Sequence, residues 1–399
     1  MTFGFPVEEI KEGAIKVAVP KLEAFKRAAW DYAPSRAPVF YNPVMELNRD
    51  IAILTLQAYQ RTIGRELTVS EPLAGCGIRG IRFAKEVEGI RKVSVNDINP
   101  EAFKITQYNI RLNKLTRHVS VANRDANLFL SQHDAPYRRF DYIDVDPSGT
   151  PVPYMDSAVR ALRDGGLLAL TATDLAPLCG VYPKAALRKY GGLPLRTEYC
   201  HEIAVRLVSG CLATTAARHE MGVNVLFSHC SNHYIRIYAL VSYGGNKANE
   251  CIRKMGYILH CFTCLHREPI ANIIPLTRER CSECSSLVKV AGPLWLGNIA
   301  DKRFCGLVEQ EAAIRSLRNK DQILKILSLI KTESDAPVTY YVLDKICDRM
   351  NIPIPSLKKV IVKLKEKGYQ ASNTHFHSRG VRTNAPAKIV TEAVTEVLG

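Results

Sequence analysis

At 399 residues, with 54 Lys and Arg against 39 Asp and Glu and a formal charge of +15, the chain exceeds one ordinary domain and favours polyanionic partners, nucleic acid first. Hydrophobic residues make up 47% of it, enough to core two or three domains. No apolar run approaches the ~18–20 residues that a bilayer-spanning helix needs. Glu8, Glu9 and Lys11 stand where a signal peptide would need an apolar core, so a cytoplasmic location is expected. The twelve cysteines then read as reduced thiols and metal ligands rather than disulfides.

In chain order, the first strong signal is a short β-type run at residues 66–70, followed by Glu71-Pro72-Leu73-Ala74-Gly75-Cys76-Gly77-Ile78-Arg79-Gly80. Gly75, Gly77 and Gly80 spell G-x-G-x-x-G, and Ile81, Phe83, Ala84 and Val87 begin an amphipathic helix at once. Such glycines allow a tight strand-to-helix turn and close approach of backbone to ligand. A second strand, residues 92–96, ends in Asp97, where an acidic residue holds both ribose hydroxyls of a nucleoside. The bland alternative is a glycine turn beside a solvated Asp. A third strand, residues 119–122, leads into Asn123-Arg124-Asp125-Ala126-Asn127, which places Asp125 to accept from an adenine amino group.

The fourth strand, residues 140–145, runs into Asp144-Val145-Asp146-Pro147-Ser148-Gly149-Thr150-Pro151, and a helical pattern follows over 154–163. Open α/β sheets bind ligands at the carboxyl ends of their strands. Proline lacks an N–H, so the Asp146 carboxylate and nearby carbonyls, beginning with that of Pro147, are left as acceptors. Acceptors in a cluster suit a substrate with an exocyclic amino group, although Asp-Pro also simply ends strands in turns. Strands centred on Leu67, Val93, Val119, Ile143 and Leu167 alternate with helices, which predicts an α/β fold with a doubly wound, Rossmann-like parallel sheet. The pair at 223–227 and 234–241 could complete it. A nicotinamide dinucleotide and S-adenosylmethionine both fit the glycine loop. The Asp-Pro element favours S-adenosylmethionine, because methylating an amine needs acceptors and hydride transfer does not.

Gly244-Gly245-Asn246 is the expected boundary between a catalytic part, 1–245, and a C-terminal part, 246–399. Within 258–290, Cys261-x-x-Cys264 and Cys281-x-x-Cys284 are separated by 16 residues, the spacing of a zinc ribbon. Four thiolates would close a tetrahedral, structural Zn²⁺ site, with His260 and His266 as alternative ligands. Cys76, Cys179 and Cys200 read instead as packing residues. Over about 310–390, helical patterns at 312–330 and from Leu343 to Leu364, broken at Pro353 and Pro355, suggest a smaller α+β, winged-helix-like unit. Residues 351–390 hold eight Lys or Arg against Glu366, the footprint of phosphate contact or else a solvated face. Thr374-His375-Phe376-His377-Ser378-Arg379 tilts that run toward RNA.

Several motifs together resemble the tRNA (guanine-26-N2)-dimethyltransferase family over nearly the whole length. They are Phe40-Tyr41-Asn42-Pro43-Val44-Met45-Glu46-Leu47-Asn48-Arg49-Asp50, the 75–82 loop, Asp146-Pro147-Ser148-Gly149, Ala176-Pro177-Leu178-Cys179-Gly180-Val181-Tyr182-Pro183-Lys184, Arg196-Thr197-Glu198-Tyr199-Cys200-His201-Glu202 and Thr374-His375-Phe376. The resemblance implies a monomeric enzyme that moves methyl groups, one and then two, from S-adenosylmethionine to guanine N2 in tRNA. It carries Arg49 and Arg79 to the cofactor carboxylate, beside the strand-end reading that gives Asp97 the ribose, Asp125 and the Ala126 backbone the adenine, and Asp146 the reacting amine. The family has an aromatic residue where this chain has Ser148, so a base-stacking wall there is missing or supplied from elsewhere. A nicotinamide dehydrogenase would leave Asp146-Pro147 and the paired cysteines unexplained. A non-catalytic RNA-binding protein would not need Asp146.

Overall fold

The computed structural model describes residues 3–27, 33–231, 233–271 and 279–399. In chain order the elements are β1 (Val7–Glu12), β2 (Ile15–Pro20), α1 (Glu46–Ile63), β3 (Leu67–Glu71), α2 (Ile78–Glu86), β4 (Ile90–Asn96), α3 (Pro100–Leu112), β5 (Val119–Ala122), α4 (Ala126–Ser131) and β6 (Phe140–Val145). Next come α5 (Val152–Arg160), β7 (Leu162–Ala172), α6 (Leu175–Leu178), α7 (Pro183–Tyr190), α8 (Cys200–Ala217), β8 (Met221–Ser231), β9 (Tyr234–Tyr243), α9 (Gly245–Arg253), β10 (Met255–His260), β11 (Arg267–Ile270) and β12 (Lys289–Trp295). The last are α10 (Lys302–Ile314), α11 (Lys320–Glu333), β13 (Tyr341–Val342), α12 (Leu343–Met350), α13 (Leu357–Glu366), β14 (Ala371–Asn373), β15 (Gly380–Thr383) and α14 (Ala387–Leu398). Among the described residues, no helix is long and apolar enough to cross a membrane.

The central sheet has the order β5-β4-β3-β6-β7-β9-β8. Its first five strands pair in parallel, and β8 and β9 form an antiparallel pair. All six residues of β6 are buried, as a strand covered on both faces requires. Successive strands step outward from β3 to β4 and β5, and the chain then returns to lay β6 against the other side of β3. That reversal is a topological switch point, and the crevice it opens lies beyond the carboxyl ends of β3 and β6. The doubly wound sheet expected from the strand spacing is therefore present. The helix expected at 154–163 instead spans Val152–Arg160, because Pro153 is tolerated in a first helical turn and β7 begins at Leu162.

The chain divides into two compact units. The first comprises Met1–Pro147, Pro153–Leu170 and Leu307–Leu324, and holds the glycine loop and the acidic strand ends. The second comprises Ser148–Val152, Thr171–Gly306 and Lys325–Gly399. Within it, β10, β11 and β12 make a three-stranded antiparallel sheet that carries both cysteine knuckles. Farther along, β13, β15 and β14 form another small sheet that shares a core with α12, α13 and α14, packed from Leu343, Ile346, Val360, Leu364, Val381, Val390 and Val394. A helix pair followed by a two-stranded wing is the winged-helix pattern expected from the proline-broken periodicity.

Candidate active site

At the carboxyl end of β3 the glycine loop is fixed by what surrounds it. Gly75 has φ +52°, and a Cβ there would lie 2.9 Å from the Phe40 carbonyl oxygen. A Cβ on Gly77, at φ +72°, would fall 2.5 Å from Thr106 Cγ2, and one on Gly80 would fall 2.7 Å from Val95 Cγ2. Only glycine fits these three positions without displacing a neighbour. The Gly75 N–H donates to Asp97 Oδ2 at 2.8 Å, and the Asn99 N–H donates to Asp97 Oδ1 at 2.9 Å. Burial raises the Asp97 pKa against these two donors, and each oxygen retains a lone pair for a ligand hydroxyl. Asp125 caps α4, its Oδ1 accepting from the N–H groups of Asn127 (2.9 Å) and Leu128 (3.1 Å). Ala126 is buried as the first residue of that helix.

Asp146 emerges at the end of β6 and is 21% exposed, whereas Asp144, on the same strand face two residues earlier, is fully buried. Arg79, from the first turn of α2, joins them. It donates through Nη1 to Asp144 Oδ1 at 2.6 Å, through Nη2 to Asn48 Oδ1 at 3.0 Å, and also through Nη2 to Asp146 Oδ2. Tyr142 OH donates to Asp144 Oδ2 at 2.8 Å. Asp146 is thus held at the crevice by a buried guanidinium. Arg49 is engaged separately: its Nε and Nη2 each donate to Glu12 at 2.6 Å. One positive charge between two aspartates leaves a net negative site, a setting that favours a cationic ligand over an anionic one.

Sequence reasoning did not assign roles to Asp144, Asn48, Glu12 and Glu71. The first was legible, since alternation on a strand puts Asp144 and Asp146 on one face. Asn48 lies within the N-terminal motif, but nothing local points it at Arg79. Glu71 accepts from the Gly80 N–H at 2.8 Å. Burial, opposed by Arg79, pushes its carboxyl up to about 8, so this acid is protonated near neutrality.

In the second unit the four knuckle cysteines gather with all sulfurs within 4.8 Å of one another. Cys261 Sγ lies 3.5 Å from Cys284 Sγ, and Cys264 Sγ lies 3.5 Å from Cys281 Sγ. Each knuckle turns through a left-handed residue, Leu265 in one and Ser285 in the other. Four thiolates at ~2.3 Å from a Zn²⁺ stand about 3.8 Å apart, so the set fits a closed, structural ion. Residues 272–278, between the knuckles in sequence, lie outside the described residues. His260 and His266 do not join the cluster, which corrects their reading as alternative ligands. The former meets Tyr199 OH through Nδ1 at 3.0 Å, and the latter meets Ser282 Oγ through Nε2 at 3.2 Å.

The basic tail also needs correction. Arg382 is buried in a cluster with Glu202, Glu333, Arg206 and His375, its Nη2 2.8 Å from Glu202 Oε2 and its Nε 2.5 Å from Glu333 Oε2. His375 turns inward to Glu333, and Phe376 stacks on Tyr340 at 5.9 Å. Arg382 and the His375 side chain are therefore core rather than part of an RNA face, whereas His377, Ser378 and Arg379 stay exposed. Lys358, Lys359 and Lys365 remain exposed on α13.

A parallel sheet with a switch point, a glycine loop after its first strand and acidic residues after the next strands together define a Rossmann-like, S-adenosylmethionine-dependent methyltransferase fold. Residues 13–395 match the model of a family described as N2,N2-dimethylguanosine tRNA methyltransferase. The tRNA (guanine(26)-N(2))-dimethyltransferase of Methanothermobacter thermautotrophicus is 42% identical, the match covering 94% of this chain and 95% of the relative. A relative from Aquifex aeolicus, tRNA (guanine(26)-N(2)/guanine(27)-N(2))-dimethyltransferase, is 35% identical over 98% of this chain and 96% of its own. The structure of Trm1 from Pyrococcus horikoshii with S-adenosyl-L-methionine superimposes with a TM-score of 0.85 at 33% identity, covering 97% of this chain and 99% of that one. The chain belongs to the N2,N2-dimethylguanosine tRNA methyltransferase family.

Proposed function

We infer that this chain methylates the exocyclic N2 of guanine-26 in tRNA, first to the monomethyl and then to the dimethyl product, with S-adenosylmethionine as donor. The observation that carries the reading is Asp146, a partly exposed carboxylate held by buried Arg79 at the switch-point crevice, beside the glycine loop. The bound cofactor supplies an electrophilic methyl group on a sulfonium. Asp97 accepts from its ribose hydroxyls. Asp125, whose Oδ1 is used by the helix cap, offers Oδ2 to the adenine amino group, with the Ala126 backbone beside it. Arg49 and Arg79 face the cofactor carboxylate while sharing their charge with Glu12 and with Asp144 and Asp146, so no unpaired cation stands near the sulfur.

Guanine N2 is a weak nucleophile, because its lone pair is delocalised into the ring. Asp146 would accept a hydrogen bond from one N2–H and orient the lone pair toward the donor. It would take up the proton as an N–C bond replaces the sulfonium S–C bond, the demethylated donor leaving as a neutral thioether. Carbonyls from Pro147 onward accept the second N–H. Orienting two bound reactants in this way is worth ~7–11 kcal/mol. A guanine stacked in a helix must leave the stack to reach these acceptors. Residues 1–245 carry the chemistry in this reading, and 246–399 hold the tRNA. With unmodified tRNA incubated with the protein and S-adenosylmethionine, mass spectrometry of nucleosides should find N2-methylguanosine and N2,N2-dimethylguanosine, and mass spectrometry of nuclease fragments should place them at position 26. Calorimetric binding of NAD in place of S-adenosylmethionine, with no methylated guanosine, would overturn the reading.

A further inference from the structure

A second group of three metal-ligating side chains, distinct from the four knuckle cysteines, comes together in the second unit. The Sγ atoms of Cys179 and Cys200 and a ring nitrogen of His201 all lie within 4.8 Å of one another. Cys179 caps the end of α6, its N–H donating to the Leu175 carbonyl at 2.7 Å. Cys200 and His201 open the 18-residue helix α8, whose N-cap, Tyr199, makes no side-chain cap bond. All three are half-buried.

We propose that Cys179, Cys200 and His201 form a second metal site, a Cys2His centre for a divalent ion of zinc's class. Tetrahedral coordination with sulfur at ~2.3 Å and nitrogen at ~2.0–2.1 Å sets the donors roughly 3.5–3.8 Å apart, a small side-chain rotation from the observed spacing. The Cys179 and Cys200 thiols share a hydrogen bond, an arrangement that accounts for the two sulfurs but not for the imidazole beside them. A Cys179–Cys200 disulfide would use both sulfurs and leave the imidazole without a role. The knuckle site is closed by four thiolates, whereas this one keeps a fourth position for water or another ligand. On binding, both thiols release their protons to solvent, so affinity rises with pH. The ion would tie the end of α6 to the start of α8. The segment leading into α6 also carries Thr173, whose N–H donates to the Gly149 carbonyl at 2.9 Å and whose hydroxyl accepts from the Gly149 N–H at 2.7 Å. The centre would therefore brace the support of the loop that follows Asp146.

The test is Co²⁺ uptake by the full-length protein, stripped with a chelator under reductant and titrated without oxygen. The wild type should bind one Co²⁺ more per chain than a Cys179→Ser, Cys200→Ser variant, and the difference spectrum should show sulfur-to-cobalt charge transfer with tetrahedral d–d bands. His201→Gln, which keeps both thiols, should weaken that ion by more than ~100-fold, beyond the ~10–100-fold typical of losing an outer-shell partner. A Cys264→Ser, Cys281→Ser variant should still take up the additional ion, which separates this site from the knuckles. Equal stoichiometry in the wild type and the Cys179→Ser, Cys200→Ser variant would overturn the proposal. So would a Cys179–Cys200 disulfide found by mass spectrometry in the protein purified without reductant.

Discussion

The Asp146 carboxylate is shared between two duties, an ion pair with Arg79 and acceptance from the substrate amine. Its side chain is 21% exposed while Arg79 is 3% exposed, so the pair is anchored from the buried side. Asp146→Ala removes the acceptor but leaves Arg79 bonded to Asp144 and Asn48, so the fold and the cofactor pocket should persist. Single-turnover methyl transfer should fall by about 10²-fold or more, while S-adenosylmethionine affinity stays close to wild type. Near-normal turnover would remove Asp146 from the chemistry. Glu71 gives a pH test of the same crevice. Its folded pKa of about 8 lies above the ordinary 4.5, so its bound proton stabilises the fold fully below pH 4.5. That contribution is lost as pH rises from there through about 8. At ~1.36 kcal/mol per pKa unit the loss approaches roughly 3–5 kcal/mol. Glu71→Gln keeps an oxygen for the Gly80 N–H and cannot ionise. Between about pH 5 and 8 its stability, measured by urea unfolding, should fall less than that of the wild type. Parallel pH profiles would show that Glu71 ionises freely.

Among the elements, what was legible in the sequence was local. Strands β5 and β6 lie where residues 119–122 and 140–145 were read, because a short apolar run bounded by turn residues needs no distant partner to be recognised. The C-x-x-C spacing likewise located the knuckles, since two thiolates so close along the chain must share a turn. Arg382 and His375 misled, because only the folded chain brings β15 to Glu202 on α8 and Glu333 on α11. Charge composition cannot separate a solvated arginine from one buried between two glutamates. Arg382→Met would leave Glu202 and Glu333 with Arg206 as the remaining arginine of the cluster, and unfolding should show about 3–5 kcal/mol of destabilisation. A loss below about 1 kcal/mol would mean the cluster adapts to an unpaired carboxylate. For the knuckles, Cys264→Ser should lower bound zinc by one ion per chain and make the 258–290 segment sensitive to protease. S-adenosylmethionine affinity should not change, because the glycine loop belongs to the other compact unit. Unchanged zinc content would exclude Cys264 as a ligand.

Over the whole molecule, a formal charge of +15 means that any RNA contact is strongly salt-dependent. The structure narrows which charges can act at the C-terminal end. Lys363 pairs with Glu366 at 3.3 Å and with Glu396 at 3.6 Å, and Lys367 pairs with Glu396 at 2.7 Å. Arg379 pairs with Asp344 at 2.6 Å. Lys358, Lys359 and Lys365 are exposed on α13, the second helix of the winged-helix-like unit, and are the better partners for phosphate. Replacing these three with Gln should weaken tRNA binding at moderate salt. It should also make the slope of log affinity against log salt shallower by roughly 0.7–0.9 for each phosphate no longer neutralised, about 2–3 for all three. S-adenosylmethionine binding should be untouched, and so should stability, because none of the three is buried in the core. If affinity and salt slope both match the wild type, α13 presents only a solvated face. The phosphates would then be held by the basic residues around the glycine-loop unit, and neutralising exposed cations there should reduce the slope instead.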